Sequence, residues 1–145
     1  MGRVRDMTIY VHIRQLGRKR GVSAAPLMLG KHPATVRELI AEMVRTCVAA
    51  YNDRVRRGEG AVQPMTQEQL ESLEAIGKLA FGVNYSEKEA DEAAAVTHAL
   101  QSFEDGVYRV FHGQMELTAL DAPLDVQEND EFTLIRLVML AGSIW

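Results

Sequence analysis

Cysteine is almost absent from this chain: its 145 residues include one, Cys47. A single thiol excludes an intrachain disulfide and any cysteine-rich metal site. Long apolar runs are missing too. The longest, such as Leu137 to Gly142, fall far short of the ~20 residues that a membrane-spanning helix requires. The opening Met1-Gly2-Arg3-Val4-Arg5-Asp6 is charged and leads into no signal-peptide core, so the expected compartment is cytoplasmic, with no membrane partner. Aromatics are scarce at 6%, and the net charge is −4. A nucleic-acid binder would usually be basic, with aromatics among its cations, so none is expected as a partner. What is present is a globular composition, 47% hydrophobic and 25% charged. The length suits one domain, 1–145, that buries roughly two-thirds of its unfolded surface.

The charge is unevenly distributed. Met1 to Arg57 holds twelve basic and four acidic residues, a net +8, whereas Gly58 to Trp145 holds four basic and sixteen acidic, a net −12. Such polarity can serve a partner surface or let the two halves attract one another.

Met7-Thr8-Ile9-Tyr10-Val11-His12-Ile13 alternates apolar and polar side chains and reads as a strand. Gly17-Arg18-Lys19-Arg20-Gly21 is a polar turn, and Val22 to Leu29 returns as a second extended segment, suggesting a hairpin. Thr35 followed by Glu38 forms a capping box. The helix it opens places Val36, Leu39, Ile40, Met43, Val44, Cys47, Val48, Tyr51 and Val55 on one face, with Arg37, Glu38, Glu42, Arg45 and Asp53 pointing elsewhere. Two further capping boxes, Thr66 with Gln69 and Ser86 with Glu89, predict two helices. The first would bury Leu70, Leu73, Ile76 and Ala80, and the second Ala90, Ala93, Val96, Leu100 and Phe103. Short strands are expected at Val107 to Phe111 and Met115 to Leu117, around a His112-Gly113-Gln114 turn. A longer one follows at Phe132 to Leu140, apolar enough to be central.

With Gly58 to Asp105 set aside, the order is β-β-α-β-β-β. The chain then resembles the ubiquitin-like β-grasp family in several places: the Met7-Thr8-Ile9-Tyr10-Val11 opening strand, the helix start Thr35-Val36-Arg37-Glu38-Leu39-Ile40, the strand and glycine turn Val110-Phe111-His112-Gly113-Gln114, and Leu124-Asp125-Val126-Gln127-Glu128-Asn129-Asp130 before the last strand. The likeness spans Met7 to Asn52 and Val107 to Gly142. It implies an α+β fold: a mixed sheet packed by one long helix, its last strand beside its first, with a two-helix insertion at about 58–105. That insertion is expected to be replaceable by a short linker.

The resemblance also directs attention to the chain end. Family members used as modifiers or sulfur carriers end in Gly-Gly, whereas this chain reads Leu140-Ala141-Gly142-Ser143-Ile144-Trp145. Activation at Gly142, after a peptidase removes three residues and with an activating enzyme as partner, is one reading. In the other, Ile144 and Trp145 pack on the domain or on a protein partner. No nucleophile signature, metal-ligand spacing or glycine-rich phosphate loop appears, so neither catalysis nor a cofactor is expected. The favoured reading is a non-covalent protein-interaction module or small subunit of a larger assembly. β-Grasp domains typically work through the exposed sheet face, which makes Tyr10, His12, Arg109 and Arg136 candidate contacts, alongside Ile144 and Trp145.

Overall fold

A computed structural model describes residues 7–15, 22–57, 73, 76–77 and 91–137. Its strands are β1 (Met7–Gln15), β2 (Val22–Leu29), β3 (Tyr108–His112), β4 (Met115–Leu117) and β5 (Glu131–Arg136). The helices are α1 (Val36–Arg57) and α2 (Glu92–Glu104). The strands form one mixed sheet in the order β2-β1-β5-β3-β4. β1 and β5 run parallel, and every other neighbouring pair is antiparallel. The protein is therefore α+β. No described helix is long and apolar enough to cross a membrane.

Alternation decides which face of the sheet is buried. Ile9, Val11 and Ile13 of β1 align with Leu27 and Ala25 of β2 and with Phe132 and Leu134 of β5. Val110 and Tyr108 of β3 and Leu117 of β4 complete the buried row. α1 packs against this row through Val36, Leu39, Ile40, Met43, Val44, Cys47 and Val48, all in one core cluster.

All four amides in the first turn of α1 find acceptors, as a buried helix start requires. Val36 and Arg37 donate to the carbonyls of Ala122 and Leu120, and Leu39 to the Thr35 carbonyl. Glu38 N–H donates to Thr35 Oγ1 at 3.2 Å. The Glu38 carboxylate reaches back one residue further than the usual box, accepting from Ala34 N–H at 2.9 Å. The 118–125 loop is thus stitched to the helix entrance, which also forms an isolated β-bridge between Thr35 and Pro123.

The middle of α1 is buried on all sides. Leu39 through Val44 are six consecutive buried residues, wider than the single apolar face expected. Glu42 is among them, at 6% exposure, contrary to the expectation that it points outward. Its carboxylate is held by Arg45 Nη1 at 2.6 Å, which offsets the cost of burying the charge.

The second cover is helical. Ala99 of α2, with Leu73 and Ile76, belongs to the same core cluster, and the Tyr108 hydroxyl donates to the Ala99 carbonyl at 2.7 Å. Residues 58–105 therefore contribute to the core, which argues against their being replaceable by a linker. Leu73 and Ile76 are buried as their helical spacing implied. Thr66 and Ser86 lie outside the described residues. α2 itself begins later than the Ser86 box implied: Asp91 is extended and its carboxylate accepts from Ala94 N–H at 3.1 Å. It ends in a Schellman arrangement, with Gly106 N–H on the Phe103 carbonyl, Val107 N–H on the Ser102 carbonyl and Gly106 at φ +76°.

Candidate interaction surface

The opposite face of the sheet carries the other half of each alternation. Across its middle, His12 of β1, Thr133 of β5 and Phe111 of β3 stand in register, with Glu116 of β4 beyond. On one side the row is Tyr10 with Pro26 and Glu131, and on the other Arg14, Ile135 and Arg109. Tyr10, Phe111, Thr133 and Ile135 are half-buried, whereas Arg14 and Arg109 are exposed. Both described helices lie on the other side, so neither of them covers this surface.

Three expected contacts fall here: Tyr10, His12 and Arg109. Arg136 does not. It continues the β5 row of Phe132 and Leu134, faces the helical side and is only 6% exposed. The physical reason is the two-residue period of the strand: Ile135, not Arg136, shares a face with Arg109, its partner in register. Burial lowers the Arg136 pKa. Gly142, Ile144, Trp145 and the Arg18-Lys19-Arg20 turn lie outside the described residues. Sequence reading missed Phe111, Thr133 and Ile135 as members of the face, although period-two counting from Arg109 and from Phe132 would have found them.

His12 is fixed from two sides. Ala24 N–H donates to its Nδ1 at 3.2 Å, so Nε2 is the nitrogen that donates to Glu131 Oε1, at 2.9 Å. The first bond exists because β2 bulges here: Val11 pairs with Ala25 and Ile13 with Val22, leaving two residues opposite His12. Ala24 occupies the left-handed region at φ 52°, a place that glycine usually takes in such bulges. On β5, the residue before Glu131 holds the other sheet histidine. Asp130 Oδ2 accepts from His112 Nε2 at 2.7 Å and from Gln127 N–H at 2.9 Å, and His112 stacks on Phe132 with ring centroids 4.6 Å apart. Consecutive carboxylates thus anchor β5 to β1 and β3.

Arg109 Nε lies 3.6 Å from Glu116 Oε2, on the neighbouring strand. The thiol of Cys47 is far from this chemistry. It is fully buried in α1, where burial pushes its pKa up to about 12 against a smaller opposing effect of the Gly77 backbone, so it stays protonated and unreactive at neutral pH. Among the described residues, no group of three His, Cys, Asp or Glu is placed to hold a metal ion. The surface combines half-buried rings and an isoleucine with guanidiniums and carboxylates.

Comparison with protein-family models, with curated proteins and with solved structures finds no match to this chain.

Proposed function

We propose that this chain is a ubiquitin-like β-grasp protein with a helical insertion, acting as a non-covalent protein-interaction module or small subunit of a larger assembly. The strand order β2-β1-β5-β3-β4, with β1 and β5 parallel and a long helix across one face, supports the family reading. The observation that carries the function is the sheet face that neither described helix covers, where Tyr10, Phe111 and Ile135 lie half-buried and Arg14 and Arg109 flank Ile135. Aromatic and aliphatic side chains interleaved with charged ones suit a protein interface, and Tyr and Arg are among the residue types that most often dominate its energy.

The test is affinity capture from the native host with quantitative mass spectrometry. Wild type is compared with the Arg14→Glu/Arg109→Glu double variant and with Thr97→Lys, an exposed change on α2. The expected result is a protein retained by wild type and Thr97→Lys and lost by the double variant. An identical set of captured proteins from all three would remove this face from the account.

A further inference from the structure

Beside the C-terminal end of α2 lies a groove of about 520 Å³ that belongs to neither the core nor the middle of the outer sheet face. Its walls come from three elements: Phe103 and Glu104 of α2, Tyr108 and Arg109 of β3, and the chain from Glu116 to Asp121. The size is that of a ligand pocket. Its chemistry leans acidic. Glu104, Glu116 and Asp121 give three carboxylates against two guanidiniums, Arg109 in the wall and Arg37 at the rim, and the negative end of the α2 dipole adds to the carboxylates. Phe103 and Tyr108 supply aromatic surface, their ring centroids 6.0 Å apart and tilted by 59°. Gly106, where the groove meets the end of α2, leaves open space where a side chain would project.

The rim already holds the kind of group this lining favours. Arg37 grips Asp121 in a fork, Nε to Oδ1 at 3.1 Å and Nη2 to Oδ2 at 3.3 Å, and its charge is also favoured by Glu104. Arg109 holds Glu116 in turn. Glu104 is the lining carboxylate without a salt bridge among the described residues, and Phe103 lines the same groove. A carboxylate and an aromatic ring in one groove suit a planar cation that can be paired at its edge and stacked on its face.

We propose that this groove takes an arginine side chain presented by a peptide segment of a partner protein, its guanidinium paired with Glu104 and laid against Phe103. Lysine fits less well, because its compact ammonium cannot pair and stack at once. Arg109 and Glu116 border both this groove and the outer sheet face, but Glu104 and Phe103, which carry the inference, belong to α2 on the other side of the sheet.

The full chain, isotopically labelled, is titrated with the peptide acetyl-Ala-Leu-Arg-Leu-Ala-amide and followed by amide NMR. The control peptides carry citrulline, the uncharged isostere, or lysine in place of arginine. Shift changes are expected at residues 103–109 and 116–121, with at least tenfold weaker binding of the citrulline peptide and intermediate binding of the lysine peptide. Glu104→Gln, an exposed and nearly isosteric change, should reduce arginine-peptide binding to the citrulline level. Equal binding of arginine and citrulline peptides, unchanged binding by Glu104→Gln, shifts centred elsewhere, or no binding at millimolar peptide would each overturn the proposal. A negative result leaves the outer-face capture experiment unaffected, so the two ideas fail separately.

Discussion

Three single residues store or resist energy in ways their side chains alone do not reveal. Ala24 holds a left-handed conformation at φ 52°, which costs a non-glycine residue ~1 kcal/mol. Glycine would relieve that strain and lose part of the gain to its freer unfolded state. Ala24→Gly should therefore raise stability by ~0.5 kcal/mol in urea unfolding, while Ala25→Gly, one residue on and buried in the strand, should lower it by ~1 kcal/mol. Cys47 and Tyr108 govern the alkaline limb. Burial raises both pKa values, so the folded state keeps protons that the unfolded chain releases. Their contribution to stability is complete below the unfolded values, near 8.5 for a thiol and 10 for a phenol. It is lost as pH rises towards and through the folded ones. Unfolding free energy should thus fall steadily above pH ~9. Tyr108→Phe should lose ~1 kcal/mol at neutral pH, with its hydrogen bond to Ala99, and show a shallower alkaline decline. An unaltered slope in that variant would place the titrating group elsewhere.

At the scale of elements, what could be read in the sequence was whatever has a short period or a local cap. The Met7, Ile9, Val11, Ile13 alternation and the Thr35–Glu38 pair both appear in the structure where expected. So do β2 and the hairpin around Gly113. Interactions between distant segments were not legible. The bulge at Ala24 carries no glycine to announce it, and it answers to His12 across the hairpin. The start of α2 was misplaced because Ser86 and Glu89 match a box as well as Asp91 caps a helix, and only the chain's path chooses between them. Glu42 reads as a solvent residue until the fold sets its carboxylate beside Gly30, just past the end of β2. The face of β5 was misjudged at Arg136, since a nearly continuous apolar strand hides its own alternation. Two predictions belong here. Leu134→Asp, on the buried row, should abolish the folded state, an unpaired core carboxylate costing ~4 kcal/mol or more. Replacing residues 58–105 by a Gly-Ser linker should also cost cooperative unfolding, because Leu73, Ile76 and Ala99 leave the core with them. A sharp thermal transition and native-like NMR dispersion in the shortened chain would show instead that sheet and α1 suffice.

For the molecule as a whole, the opposed charges of its two parts are partly spent on one another. His12 with Glu131 and Arg37 with Asp121 each join the basic N-terminal part to the acidic remainder. The Arg37 guanidinium holds the Asp121 carboxyl below its ordinary value. What that pair contributes is present above the ordinary carboxylate pKa and fades as pH falls through the lowered one. Carboxyl NMR titration should find Asp121 below ~3.9 in wild type and closer to that value in Arg37→Gln. On the sheet face that neither described helix covers, Arg14 and Arg109 flank Ile135, Arg109 also lying beside Glu116, which is why the proposed function is contact rather than chemistry. Candidate contacts were half legible: Tyr10 and His12 follow from the alternation of β1, and Phe111 and Ile135 from the same count on β3 and β5, while only the register shows which rows meet. The most direct measurement captures the protein with its partner under native conditions and then denatures the complex before mass analysis. A non-covalent module predicts that the partner dissociates and the chain returns at its free mass. Recovery of the chain as denaturation-resistant adducts joined through Gly142 would contradict the account.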